Sequence, residues 1–184
     1  MSTNPAPLPP VIYGTFSGQI NQENVQRMIN GITSVMGTVT HLHVLFNSGG
    51  GFIGDGICLY NFFRALTIDL TLYNGGTVAS IATVAFLGAK YRRTSKHGTF
   101  MIHRAHNSPQ QATASKLEDI ARSLRIDDAR IEAILRDHIK LEEKQWKDLN
   151  YENLTFNAED SVKIGFAQAV EEFMPPPGSK IFTV

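Results

Sequence analysis

The sequence of 184 residues has a single cysteine, no excess of either charge and no long apolar run. One cysteine excludes an intramolecular disulfide and fits a reducing compartment. The 17 basic residues balance the 17 acidic ones, which argues against a protein that binds nucleic acid through a strong positive field. No stretch approaches the roughly 20 apolar residues that a membrane-spanning helix needs. We therefore expect a soluble, cytoplasmic protein with no membrane or nucleic-acid partner.

The two ends of the chain differ in character from its middle. Residues 1–10 contain four prolines, without a basic start or an apolar run, and predict an extended arm rather than a signal peptide. Residues 11–174 alternate between strand and helix patterns without an internal repeat, which predicts a single α/β domain. Residues 175–184 are interpreted as a C-terminal tail.

Four segments of the middle region bear on function. Residues 41–46 predict a strand that enters a buried sheet. Residues 67–73 predict a strand that is broken by Asn74-Gly75-Gly76. Residues 78–87 are small and uncharged and predict a buried helix, while residues 113–146 carry apolar side chains at helical spacing and predict one long helix.

A glycine-rich loop, Asn47-Ser48-Gly49-Gly50-Gly51, follows the 41–46 strand and precedes a predicted helix. Unhindered amides at a helix entrance are typical of an anion site or an oxyanion hole. A tight strand-to-helix turn also needs glycine for steric reasons, so the loop alone leaves both interpretations open.

Ser80 and His103 are the candidate catalytic pair. Ser80 lies near the start of the predicted 78–87 helix, and His103 ends a short predicted strand. A lone serine or histidine in such a place is more often structural. The chain between the two is long enough for a strand or hairpin to bring them together, and an imidazole that accepts the serine proton makes the hydroxyl a nucleophile.

Four motifs, in the same order, resemble those of the proteolytic subunit of the Clp ATP-dependent serine protease family. Residues 46–51 are similar to its oxyanion loop, with Gly49 where proline is usual. Residues 79–82 resemble its nucleophile segment, 101–104 its histidine segment, and 157–166 the segment after the third triad member. The resemblance implies an α/β fold, the ClpP/crotonase-like spiral of βαβ units with a protruding long handle helix at residues 113–146.

The resemblance also implies roles for five residues. Ser80 is the expected nucleophile, His103 the general base, and the amides of Gly50 and Ile81 the oxyanion hole. The third triad position falls on Asn153, where the family has aspartate. Asparagine can accept a hydrogen bond but carries no negative charge, and this replacement can slow a serine protease by about 10⁴.

Three interpretations of Asn153 stay open. The protein is a slow Ser-His-Asn peptidase, it uses a nearby carboxylate such as Glu152, Asp148 or Asp160, or it is an inactive ring or scaffold subunit. Our hypothesis is a Clp-type serine endopeptidase that cleaves short or unfolded peptides through an acyl-enzyme on Ser80, without metal or cofactor. An acyl-CoA-processing enzyme of the same fold is a further alternative.

The expected partners also come from the resemblance. It implies self-assembly into rings, with stacked heptamers as one form, and the handle helix would pack two rings together or pack on its own domain. The family carries an axial-pore loop at its N-terminus, whereas this chain has a short Pro-rich arm. Docking to a Clp-type ATPase therefore stays open.

Other reactive side chains predict less. His41 and His43 lie on one face of a strand, but no nearby Cys, Asp or Glu completes a metal site. Lys90 or Lys96 could serve as base in a Ser–Lys dyad, which the matching His103 motif disfavours. Cys58 lies in an apolar helical segment and is predicted to be a core residue.

Overall fold

The computed structural model describes residues 10–183, so nearly all of the predicted arm lies outside the described residues. Eight strands occur in this part of the chain: β1 Val11–Ser17, β2 His41–Ser48, β3 Asp69–Ala79, β4 Tyr91–Thr94, β5 Thr99–Ile102, β6 Leu154–Phe156, β7 Ala169–Val170 and β8 Ile181–Thr183. The helices are α1 Gln22–Val35, α2 Ile53–Ala65, α3 Ile81–Leu87, α4 Ala114–His138, α5 Glu143–Asp148 and α6 Ala158–Ile164.

The strands form one sheet in the order β6-β5-β3-β2-β1-β8, with β4 beside β3 and β7 beside β4. The neighbours β1 and β2, β2 and β3, and β3 and β4 are parallel, and a helix lies between them in sequence each time. The predicted α/β class with successive βαβ units is therefore confirmed. β8, from the segment interpreted as a tail, pairs with β1.

The predicted break at Asn74-Gly75-Gly76 is wrong, because β3 runs through it. Its first half pairs with β4 and its second half with β5. The buried Asn74 side chain joins the halves: its amide donates to the Thr99 carbonyl (2.9 Å), and its oxygen accepts from the Gly76 amide (3.0 Å). A polar side chain thus supplies hydrogen bonds where the strand changes neighbour.

The predicted 78–87 helix starts too early. Val78 and Ala79 pair with Phe100 and Met101 of β5, so they belong to β3, and α3 begins only at Ile81. Ser80 consequently lies at the junction between a strand and a helix.

The predicted 113–146 helix is two helices. The Thr113 side chain caps the start of α4, whose 25 residues span about 37 Å. The helix ends at His138 because Ile139 is extended and buried, and the next amide, Lys140, donates to the Ile164 carbonyl (2.8 Å). α5 follows as a separate short helix.

The core contains buried residues of the sheet and of helices α1 to α3, and it also takes in the end of α4, α5 and the segment after α6; large aromatic side chains fill much of it. Phe100 and Phe166 stack with ring centres 5.0 Å apart, and both are fully buried. The predicted core position of Cys58 is wrong: α2 turns Tyr60 and Phe63 inward and leaves Cys58 exposed. Among residues 10–183, no helix is both long and apolar enough to cross a membrane.

Candidate active site

Ser80 occupies a strained turn between β3 and α3. Its backbone lies in left-handed space (φ 57°, ψ −134°), which non-glycine residues rarely adopt. The Ser80 amide donates to the Met101 carbonyl of β5 (2.7 Å), and the Thr83 hydroxyl donates to the Ser80 carbonyl (2.7 Å). Backbone strain of this kind persists only where the surrounding structure enforces it, and it clusters at functional sites.

The glycine-rich loop lies directly against Ser80. Gly50 has a φ of +101°, and a Cβ added there would lie 2.6 Å from Ser80 Cβ, closer than real Cβ contacts allow. Hydrogen bonds with Ile20 fix the loop, since the Ile20 amide donates to the Gly50 carbonyl and the Phe52 amide to the Ile20 carbonyl, both at 2.8 Å. Glycine is therefore required here both by conformation and by close approach.

The two amides of the expected oxyanion hole differ in their present partners. The Gly50 amide donates to Ser48 Oγ at 3.2 Å. The Ile81 amide is at the first position of α3 and makes no hydrogen bond within residues 10–183. Amides at a helix start have no partner inside the helix, so the Ile81 N–H is available to an acceptor beside Ser80.

His103 follows the end of β5 and is partly exposed. Its Nδ1 lies 2.6 Å from the carbonyl oxygen of Arg104. Because a carbonyl only accepts, Nδ1 must carry the proton, and in the neutral imidazole Nε2 is then free to accept one. This is the tautomer that a general base for serine needs.

Ser80 and His103 line the same small cavity, with a volume of about 120 Å³. Its other lining residues include Gly51, Ile81, His106 and Ile131. No hydrogen bond joins Ser80 Oγ to the His103 ring in the described part of the chain. The arrangement places a serine, an imidazole whose Nδ1 is hydrogen-bonded elsewhere and a residue with a free amide around one cavity.

Asn153 lies beside His103 along the backbone but makes no hydrogen bond to its ring within residues 10–183. β6 pairs with β5 so that Leu154 opposes Ile102, which puts the next residues of the two strands, 153 and 103, across from each other. The Asn153 side chain is exposed, and between residues 10 and 183 it makes no hydrogen bond to His103.

The carboxylates considered as replacements do not reach the imidazole either. Asp148 pairs with Lys144 (2.8 Å) and Asp160 pairs with Lys163 (2.9 Å). Glu152 is exposed, and none of the three hydrogen-bonds to His103. The hydrogen bond that the His103 imidazole does make is to the carbonyl oxygen of Arg104.

Sequence reasoning missed the groups that surround this carbonyl. The Arg104 guanidinium pairs with Glu132 of α4 (2.7 Å), and the Ala105 amide donates to Asp128 of the same helix (2.8 Å). A main-chain acceptor has no sequence signature. Nothing in the local sequence pattern marks Arg104 as a residue that holds the imidazole.

The remaining reactive side chains lie elsewhere. Lys90 pairs with Asp69, and neither Lys90 nor Lys96 lines the Ser80 cavity. His41 and His43 stack 4.2 Å apart on the sheet, where their rings hydrogen-bond to hydroxyl groups of β3.

Comparison with known proteins gives a family match. A family model described as Clp protease matches residues 15–173, most of the chain. No curated protein sequence matches significantly.

A solved structure gives the fold. A ClpP1 mutant from Listeria monocytogenes, in which one asparagine is replaced by aspartate, superposes with a TM-score of 0.76 and 18% sequence identity. The match covers 88% of this chain and 91% of that one. The predicted ClpP/crotonase-like architecture is thereby confirmed.

Proposed function

Because this chain belongs to the Clp protease family, we propose that it is a serine peptidase that cleaves short or unfolded peptides through an acyl-enzyme on Ser80. The observation that carries the proposal is the convergence of Ser80 and His103 on one cavity. The strained turn at Ser80 and the Nδ1–H tautomer of His103 support the same assignment.

In the proposed reaction, Ser80 Oγ attacks the scissile carbonyl carbon while His103 Nε2 takes the hydroxyl proton. The carbonyl oxygen becomes an oxyanion that accepts from the Ile81 amide and from the Gly50 amide, which leaves Ser48 Oγ to do so. Collapse of this intermediate breaks the peptide bond, and His103 gives its proton to the departing amine. Water then attacks the acyl-enzyme, with His103 again as base, and releases the second product.

The absence of a direct Ser80–His103 hydrogen bond within residues 10–183 is compatible with this route. Catalytic hydrogen bonds are often long in unliganded enzymes and shorten once substrate binds. The same observation, together with the exposed Asn153, favours a second candidate: a weakened or inactive subunit that serves in a ring of the same fold.

Self-assembly is part of the proposal, since rings are the form that family membership implies. The α4 handle offers a surface for it, because Leu117 and Ile126 are about half exposed (48% and 56%).

Hydrolysis of fluorogenic peptides by the purified assembly tests the proposal. We expect turnover that Ser80→Ala and His103→Ala abolish, while Ser34→Ala, on the exposed surface of α1, leaves it unchanged. No turnover by the folded wild type, combined with a ring-sized particle in solution, would support the scaffold candidate instead.

A further inference from the structure

We propose that Glu132 and Asp128 of α4 are positioning residues for His103, which they orient through the main chain of Arg104 and Ala105. The inference rests on the proposed function. It concerns how the imidazole keeps its orientation when Asn153, the residue expected at the third triad position, makes no hydrogen bond to it in the described part of the chain.

The first step is the bond between His103 Nδ1–H and the Arg104 carbonyl (2.6 Å). In a serine triad the third member holds the imidazole in one tautomer and one direction. A backbone carbonyl can do both, since it accepts from Nδ1–H and leaves Nε2 unprotonated. It does so only while its own direction is fixed.

Side chains of α4, together with Asn150, fix that direction at two successive residues. Arg104 Nη1 donates to Glu132 Oε2 at 2.7 Å, and Arg104 Nε donates to Asn150 Oδ1 at 3.0 Å. The Ala105 amide donates to Asp128 Oδ1 at 2.8 Å. Asp128 and Glu132 are four residues apart and therefore lie on the same face of the helix.

We call this arrangement, in which Glu132 and Asp128 hold Arg104 and Ala105, the clamp. Charge strengthens it. Glu132 also accepts from Arg136 Nε (2.8 Å), so its carboxylate lies between two guanidinium groups. Burial raises the pKa of Glu132, but the hydrogen bonds from Arg104 and Arg136 outweigh burial and hold the pKa below its usual value. The carboxylate is therefore ionised at neutral pH. Both partners of the Arg104–Glu132 pair are only 26% exposed, so solvent screens the pair less than a surface pair.

A positioning role predicts a loss in kcat rather than in substrate binding. Glu132→Gln should lower kcat between about fivefold and about a hundredfold, because small misplacements of a catalytic group cost that much. KM should stay near the wild-type value, and the thermal unfolding midpoint should fall by no more than about 4 °C, the shift expected when a partly exposed ion pair is lost. Glu118→Gln removes the same charge from the same helix, where Glu118 forms no ion pair within residues 10–183, and should have no effect.

Variants of Asp128 separate the hydrogen bond from the charge. Asp128→Asn keeps an oxygen that can accept from the Ala105 amide and should retain most of kcat. Asp128→Ala removes this acceptor and should lower kcat by about as much as Glu132→Gln does. An Asp128→Asn as impaired as Asp128→Ala would contradict the clamp. So would a Glu132→Gln enzyme with wild-type kcat.

The tautomer of His103 gives a readout that needs no activity. ¹⁵N NMR of histidine-labelled protein should show Nδ1 protonated in the wild type, and a mixture of tautomers in Asp128→Ala and Glu132→Gln. An unchanged tautomer in both variants would overturn the inference. Absent peptidase activity with the expected tautomer shift would instead overturn the proposed function and leave the clamp standing.

Discussion

The nucleophile side and the histidine side of the candidate site are built by different means. Ser80 is held by buried strands, main-chain hydrogen bonds and a glycine loop that leaves no room for a side chain at Gly50. His103 lies on a loop outside the sheet, where the carboxyl side chains of Glu132 and Asp128 in α4 hold the neighbouring residues. Packing thus fixes the nucleophile, whereas electrostatics fixes the base, and only the second can be adjusted by a single charge.

Gly50→Ala should break the nucleophile side and have the largest effect. The methyl group would lie 2.6 Å from Ser80 Cβ, in a backbone conformation with φ +101° that alanine disfavours. We expect a loss of about 2 kcal/mol or more in unfolding free energy and about a hundredfold in peptidase rate. Denaturant unfolding and peptide hydrolysis measure the two effects.

Gly49→Ala is the matched control for this substitution. A Cβ at Gly49 meets open space, so the unfolding free energy of the Gly49→Ala variant should stay within about 0.5 kcal/mol of the wild-type value. Equal losses in the two variants, or an active and stable Gly50→Ala, would contradict the claim that packing fixes Ser80.

The substitution Asn153→Asp tests the histidine side, because it adds a negative charge beside His103. A carboxylate near His103 stabilises the imidazolium, so we expect the peptidase rate to rise about tenfold. This is well short of 10⁴ because the Arg104 carbonyl already holds Nδ1. The acid limb of the kcat/KM profile should also move to higher pH.

Asn30→Asp provides the control for Asn153→Asp, since it adds the same charge on α1 and keeps the hydrogen bond from Gln26. A folded Asn153→Asp protein with unchanged rate and pH profile would show that His103 does not respond to charge at this position.

The smallest expected effect is on stability and concerns His43, which belongs to the nucleophile side of the site. β2 leads into the glycine loop and carries His43, whose pKa is lowered to about 4, first by burial and then by the nearby charge of His41. The unfolded chain binds this proton near pH 6.5 and the folded chain only near pH 4. The stability that neutral His43 contributes is therefore complete above about pH 6.5 and lost as the pH falls to about 4.

His43→Gln tests this pH dependence. Glutamine can keep the hydrogen bond to the Tyr73 hydroxyl (3.0 Å) but does not titrate. The decline of the unfolding midpoint between about pH 6.5 and about pH 4 should become shallower, while peptidase activity at neutral pH stays the same. It should not vanish, because burial lowers the pKa of His41 and His138 as well. An unchanged slope would show that His43 is not held neutral.

Local patterns predicted the elements whose signals are local. Asparagine is a favoured residue at helix starts, and the Asn21 side chain caps α1 by accepting from the Asn24 amide (2.9 Å). The predicted break at Gly75-Gly76 failed because the buried Asn74 side chain carries the strand across a change of neighbour. The spacing of apolar residues along the chain carries no information about such a hydrogen bond between residues far apart in sequence.

The candidate site divides in the same way. Ser80 and His103 have distinctive chemistry, so their motifs could be found, and the structure brings them to one cavity. The Arg104 carbonyl could not be found, since every residue has one. Its support from Glu132 depends on where α4 crosses the loop, which only the folded chain determines.

Covalent labelling tests the central claim most directly. A fluorophosphonate probe, followed by intact mass and peptide mapping, should give one adduct per chain on Ser80. Ser80→Ala should lose this adduct, and His103→Ala should form it far more slowly. A folded, assembled protein that takes up no probe, or takes it up at another residue, would contradict the assignment of Ser80 as the nucleophile.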